Sequence, residues 1–243
     1  MGMYVCKFGG TSLANVSLRN KIYDYIESLL LQKHKVVMIV SAFGRLPDPY
    51  ATDTLVSYSR YLPPMYTDRM LALGEQFSTL VVSNELYARN LSNIPCNVMD
   101  IGIITDEQYN QANILQLHSE RLQQFLMSHD LLVVPGFQGL SYHQHITTLG
   151  RGGSDLSAIV VAHMLGVNEV YCFTDVDGVY EYDPKTNTTA SKFTMLSYDK
   201  MLQLIDSGAK VMCKNSILWA KQYQMRIFVG TVNGLNSGTW IEG

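Results

Sequence analysis

The run Lys35–Ala42, KVVMIVSA, is apolar almost without interruption. An unbroken run of this length, rich in β-branched residues, marks a strand buried on both faces, as in a parallel sheet covered by helices. Similar runs recur along the chain: Met3–Cys6, NIPCNVMD (Asn93–Asp100), LLVVPGFQG, EVYCFTD and RIFVGT. Between them lie helical patterns. Ser17–Gln32 puts Ile22, Tyr23, Ile26, Leu29 and Leu30 on one face. Arg69–Arg89, Asn113–His129, Asp155–Leu165, Ser197–Ser207 and Asn215–Gln224 read as further helices. Strands alternating with helices predict α/β layers around a mainly parallel sheet. The irregular stretches Gly44–Asp53 and Tyr182–Lys192 each follow a strand, which places them at the strand C-terminal edge, where open α/β sheets hold ligands.

A chain of 243 residues can bury one large core or two lobes. The net charge of −3 and the lack of a basic run argue against a nucleic-acid partner. Cys6, Cys96, Cys172 and Cys213 are scattered without metal-ligand spacing, so they read as thiols of a reducing compartment. No apolar stretch reaches the roughly 18 residues that cross a bilayer. The N-terminus reads as a strand with no signal-peptide pattern, so a cytoplasmic location without a membrane partner is expected.

Two glycine-rich stretches carry the chemistry. In KFGGTS (Lys7–Ser12) a lysine ends a strand and the chain breaks at once into Gly9 and Gly10. A lysine at the end of a buried strand is costly unless its ammonium meets an anion, and paired glycines let a ligand approach the backbone. In TTLGRGGSDLSA (Thr147–Ala158), Gly150, Gly152 and Gly153 bracket Arg151, and Ser154 and Asp155 open an apolar-periodic helix. A capped helix N-terminus preceded by glycines suits an anion, and the Arg151 fork suits a carboxylate or phosphate. The plainer reading is a strand-end lysine in water and a tight turn before a capped helix. Two such stretches in one chain favour a ligand. Neither fits the phosphate-loop or dinucleotide glycine patterns, because here the lysine precedes the glycines.

KFGGTS resembles the N-terminal signature of aspartate kinases, members of the amino-acid kinase family. The resemblance continues in order along nearly the whole chain. VSAFG with TDTL (Thr52–Leu55) looks like the family's VSAMG and TDEL, and LALGEQFS (Leu71–Ser78) is similar to its LATGEQ. VVPGFQG, TTLGRGGSD, FTDVDGVYEYDPK (Phe173–Lys185) and LSYDKMLQLIDSGAKVM (Leu196–Met212) follow the family's pattern. The implied fold is a three-layer αβα sandwich, a single domain over 1–243. Its N-terminal substrate lobe would span about 1–150 and its C-terminal nucleotide lobe about 151–243.

By this resemblance Lys7 bridges the transferring phosphoryl group, with Gly9, Gly10, Thr11, Gly152 and Gly153 around the phosphates. Asp155 is the implied catalytic aspartate, orienting lysines and the metal–nucleotide, and Lys210 lies near the nucleotide phosphates. Ser41, Thr52, Glu75, Arg151 and Ser154 match the amino-acid site, with Arg151 for the α-carboxylate and Glu75 for the ammonium. Thr174, Asp175, Tyr180, Asp183, Pro184 and Lys185 match the adenine- and ribose-contacting segment. Asp177 stands where the family has proline, Lys185 where it has arginine, and Met212–Asn215 departs from the family's LHPR. ATP and Mg²⁺ are the implied cofactors, the metal held chiefly by phosphate oxygens with few direct protein ligands.

The implied reaction is ATP-dependent phosphorylation of the L-aspartate side chain. The proline-rich loop RLPDPYA and the short connection from Thr52 to Gly74 leave room for a related acid, such as glutamate or an N-acylated amino acid. A non-catalytic nucleotide-binding module is the reading from another class, and it sits badly with the retention of Lys7, both glycine motifs, Asp155 and Lys210. The resemblance reaches GTWIEG (Gly238–Gly243), which looks like the closing strand of the kinase domain. The expectation is therefore a chain without regulatory domains, insensitive to lysine, threonine and methionine, partnered as a homodimer or by a separate regulatory chain.

Overall fold

The computed structural model describes residues 2–182, 189–234 and 237–243. In chain order the elements are β1 (Met3–Phe8), α1 (Gly10–Ala14), α2 (Val16–Leu31), β2 (Lys35–Val40), α3 (Thr52–Tyr58), α4 (Pro64–Leu71) and α5 (Leu73–Ala88). They continue with β3 (Ile94–Pro95), α6 (Val98–Ile101), β4 (Ile103–Thr105), β5 (Ile114–Leu117), α7 (Glu120–Ser128), β6 (Leu131–Pro135), β7 (Gln138–Ser141) and β8 (Ile146–Thr148). The last part comprises α8 (Gly153–Met164), β9 (Glu169–Phe173), β10 (Met195–Leu196), α9 (Tyr198–Asp206), α10 (Lys214–Gln222), β11 (Arg226–Gly230) and β12 (Thr239–Ile241).

An eight-stranded sheet runs in the order β10-β12-β11-β9-β1-β2-β6-β3. All its pairings are parallel except β11 with β12. Because successive strand side chains point to opposite faces, the sheet has two cores. On one face Val5, Val37, Val134, Val170 and Ile227 pack with residues of α7, α8, α9 and α10. On the other, Cys6, Phe8, Met38, Val133 and Phe173 pack with α1, α2 and α5. The result is the expected α/β sandwich of three layers with a mainly parallel sheet. Lys35–Val40, flanked by β1 and β6, is fully buried from Val36 onward, as its apolar run requires.

The local sequence pattern misleads in three places. Arg69–Arg89 is not one helix: α4 starts five residues earlier, at Pro64, where proline suits a first turn, and α5 begins after Ala72. Only Ile94 and Pro95 of NIPCNVMD form a strand. Asn97 then accepts from the Met99 N–H and donates its own N–H to Asp100, capping α6 instead. Asn113–His129 splits into β5 and α7, because Ile114–Leu117 finds antiparallel partners in β4, a non-local pairing that overrides helical spacing. With β7 and β8 these strands form a second sheet, ordered β5-β4-β7-β8. All four cysteines are free, and no helix among the described residues is long and apolar enough to cross a membrane.

Candidate active site

The chain leaves β1 toward β2 on one side and later returns as β9 on the other, so the C-terminal end of β1 is a switch point of the sheet. Lys7 sits there, in register with Ile39 of β2 and Cys172 of β9. It shares a sheet face with Val5 and points toward α8, whose first turn carries Asp155. The Lys7 ammonium lies 2.7 Å from the Asp155 carboxylate. Burial by itself would pull the lysine's pKa down, but the adjacent carboxylate outweighs it and holds the ammonium above its ordinary value. A lone buried cation here would be expensive, so Asp155 keeps Lys7 charged at the sheet edge.

The two glycine turns close on this pair. A side chain at Gly10 would overlap the Ala42 carbonyl oxygen, so the β1–α1 turn lies directly against the end of β2. The Gly10 carbonyl accepts from the Gly44 N–H at 2.9 Å, fastening the next loop. Gly152 has φ +76°, and a Cβ there would come within 2.5 Å of Cys213 Cβ. The turn thus packs on the segment entering α10. Two glycines expected to present N–H groups to phosphate have those groups engaged within the protein. Gly9 donates to the Phe173 carbonyl at 3.2 Å, and Gly153 donates to Gly150 at 2.9 Å. Both hold the shape of the turns.

Between the turns opens a cleft of about 390 Å³. Lys7, Gly10, Ser41, Thr52, Glu75, Arg151, Gly152, Gly153, Ser154 and Asp155 all line it, brought together from β1, the ends of β2 and α3, α5 and the start of α8. Glu75 is only 2% exposed; one oxygen accepts from the Ala42 N–H at 3.1 Å and the other has no partner. Burial pushes its carboxyl up to about 8. Arg151 stands at the rim with its side chain 94% exposed, 3.9 Å from Asp53. Arg45, Asp53, Asn110 and Thr148 also line the cleft and were not singled out from sequence. Asp68, beneath it, was missed because α4 begins before the expected helix. Its place beside Leu71 on the inward face of that helix was the available signal.

Other expected residues lie outside this cleft. Thr11, in α1, and Lys210, exposed in the connection between α9 and α10, are not among its lining residues. The backbone reaches the turn at Cys213, three residues after Lys210. Thr174 and Asp175 follow β9: the Thr174 N–H donates to Gly230 at 2.9 Å and its hydroxyl to Asp175 at 3.1 Å. Tyr180 donates to Asp177 at 2.8 Å, and Lys192 pairs with the same carboxylate at 2.7 Å. The hydrogen bond from Lys192 holds Asp177 below the usual aspartate range. The residue that replaces the family's proline is therefore the hub that orders this strand-end segment. Asp183, Pro184 and Lys185 lie outside the described residues.

The fold is thus a three-layer α/β sandwich with an ion-paired lysine and two glycine turns at the switch point of its sheet. The chain belongs to the amino acid kinase family, whose sequence pattern matches residues 2–231. It is 33% identical to the aspartokinase of Thermus thermophilus over 246 aligned residues, covering 100% of this chain and 60% of that protein. It is likewise 33% identical to aspartokinase 1 of Bacillus subtilis, covering 99% of this chain and 61% of that one. The chain thus spans about 60% of the length of these curated relatives. Among solved structures, the aspartate kinase of Synechocystis superposes with a TM-score of 0.84 at 30% identity, over 99% of this chain and 40% of that one. A uridylate kinase from Archaeoglobus fulgidus shares the fold at 17% identity and a TM-score of 0.67, over 99% of each chain.

Proposed function

We propose that the protein transfers the γ-phosphoryl group of ATP to the side-chain carboxylate of L-aspartate, giving ADP and 4-phospho-L-aspartate. The observation that carries this reading is the Lys7 ammonium, paired with Asp155, in one cleft with a half-partnered buried carboxyl group on Glu75 and an exposed guanidinium on Arg151. An amino acid offers the matching charges. Its ammonium answers the orphan oxygen of Glu75 and its α-carboxylate answers Arg151, leaving the side-chain carboxylate for the phosphoryl donor. The names of the curated relatives support the same acceptor. The fold alone does not choose it, since a uridylate kinase shares that fold.

The acceptor carboxylate has a pKa of about 4 and is already ionised at neutral pH, so its attack needs no general base. Its oxygen forms the new bond to the γ-phosphorus as the bond to the β–γ bridging oxygen breaks and that electron pair leaves on ADP. Catalysis then rests on positioning and on spreading positive charge over the equatorial oxygens, the task of Lys7. Asp155 holds that ammonium charged and oriented. Ser41, Thr52 and Ser154 supply hydroxyls along the acceptor side. Thr174, Asp175 and Tyr180, at the end of the strand beside β1, form the nucleotide side. In this reading residues 1–150 mainly serve the amino acid and 151–243 the nucleotide.

No cluster of three or more metal-ligating side chains occurs among the described residues. The single carboxylate of Asp155 suits a Mg²⁺ that needs one or two carboxylates beside nucleotide phosphates. Such an ion would neutralise charge on the β- and γ-phosphates. ADP release measured over a panel of amino acids tests the proposal. Turnover with L-aspartate well above L-glutamate supports it, and turnover with glutamate alone, or with no amino acid, overturns it.

A further inference from the structure

We propose that Asp68 is a positioning residue that sets the separation of the two charged groups holding the amino acid; this rests on the reading of Glu75 and Arg151 given above. Asp68 lies on α4 and is fully buried. It receives four hydrogen bonds across the cleft's underside. The Asn110 N–H reaches both carboxylate oxygens, at 2.8 and 3.0 Å, the Thr148 N–H reaches one at 2.7 Å, and the Thr148 hydroxyl the other at 3.0 Å. Each contact comes from a donor. An asparagine would have to turn an NH₂ group against the Asn110 or Thr148 N–H whichever way it faced, so the site calls for a carboxyl group with both oxygens accepting.

The three segments joined this way are the walls of the cleft. Asp68 precedes α5 and its Glu75 by two turns of nearly continuous helix, broken only at Ala72. Thr148 is the last residue of β8, and Leu149 leads from it into the Gly150–Gly153 turn that carries Arg151. Asn110 backs that turn: a Cβ at Gly150 would lie 3.4 Å from the Asn110 carbonyl oxygen. The neighbouring Ala112 N–H donates to the Thr148 carbonyl at 2.9 Å. Asp68 therefore ties the wall bearing Glu75 to the wall bearing Arg151. Loosening the tie changes the reach between ammonium and carboxylate sites while leaving Lys7, Asp155 and β9 in place. The effect belongs to amino-acid affinity, not to nucleotide affinity or to the transfer step.

The test compares wild-type protein with Asp68→Asn and the milder Thr148→Val, which removes one of the three donors and keeps the backbone bond. For Asp68→Asn, the KM for L-aspartate should rise about tenfold or more, the scale of one weakened charge-assisted contact. Its KM for ATP should stay within about twofold and its kcat within about threefold, the split expected when only ground-state and transition-state binding of one substrate is lost together. Thr148→Val should shift the same constant in the same direction by less, and decides the matter if Asp68→Asn does not fold. A fall in kcat with both KM values unchanged would indicate only a smaller folded fraction and overturn the proposal. So would equal rises in both KM values. Hydrogen exchange on the unliganded wild type gives a readout independent of activity. The Asn110 and Thr148 amides should exchange far more slowly than that of the exposed turn residue Gln144, and equal rates would refute the tie. If the wild type phosphorylates no amino acid, the functional reading fails, while the exchange result still decides whether the tie exists.

Discussion

The ammonium of Lys7 and the carboxylate of Asp155 meet at 2.7 Å, with their side chains only 13% and 10% exposed. One group lies at the end of a strand and the other in the first turn of a helix 148 positions later in the chain, so the pair joins the sheet to α8 at the cleft. Both side chains line the cleft. Lys7→Ala should lower kcat by a factor of about 10² or more with little change in the KM for ATP, because the charge acts mainly on the transition state. Near-normal turnover by a folded Lys7→Ala protein would remove Lys7 from the mechanism.

Arg151 should move on ligand binding. Its guanidinium stands in water with Asp53 as its nearest charged partner at 3.9 Å, a contact too weak to hold it. Arg151→Ala should raise the KM for L-aspartate strongly and leave that for ATP unchanged, while Arg151→Lys should rescue only part of the loss, since an ammonium lacks the bidentate fork. A change confined to ATP would make Arg151 a phosphate ligand.

Glu75 gives the pH dependence a sign. Burial raises its pKa to about 8, so near neutrality the unliganded protein holds it mostly protonated, whereas an ammonium ligand requires the carboxylate. kcat/KM for L-aspartate should therefore rise between about pH 6.5 and 8.5, and kcat, which reports the complex, should stay flatter. The stability effect runs the other way. An unfolded chain loses this proton near its ordinary value of about 4.3 and the folded one near 8, so the contribution of Glu75 is greatest at low pH and declines as pH rises toward 8. Glu75→Gln should abolish both trends. Unchanged profiles in that variant would place the titration elsewhere.

A second ionic device holds the first glycine turn from behind. Arg19 makes two 2.8 Å bonds to Glu85 and donates to the Leu13 and Ala14 carbonyls at the end of α1, at 2.6 and 3.2 Å. Tyr23 donates to the same carboxylate at 2.7 Å. Glu85→Ala strands a buried guanidinium and should cost about 2 kcal/mol of unfolding free energy, less than for a fully enclosed pair because Glu85 is partly exposed. Urea titration measures it; a change below about 0.5 kcal/mol would show that water replaces the carboxylate.

The parts of this account that were legible in the sequence are those with a local cause. The apolar VVMIV run (Val36–Val40) has few stable fates other than a central strand, and a lysine at the end of such a strand before two glycines implies a nearby anion. Asp155 at the head of an apolar helix was legible for the same reason. What was hidden depends on distant partners. Ile114–Leu117 is a strand only because β4 lies beside it, and nothing within Asn113–His129 records that. Asp68 looks like an ordinary helix carboxylate until Asn110 arrives from a loop and Thr148 from the end of β8. Sequence also gives no direction for the exposed side chains of Arg151 and Lys210, whose positions water leaves nearly free.

The central claim is that the acceptor is the side-chain carboxylate of L-aspartate. Protein incubated with ATP, Mg²⁺ and L-aspartate in the presence of hydroxylamine tests it most directly, because an acyl phosphate is captured as a hydroxamate at the carbon that carried it. The account predicts aspartate β-hydroxamate formed in step with ADP, abolished in Lys7→Ala. ADP release without hydroxamate, or hydroxamate formed from L-glutamate and not from L-aspartate, would contradict it.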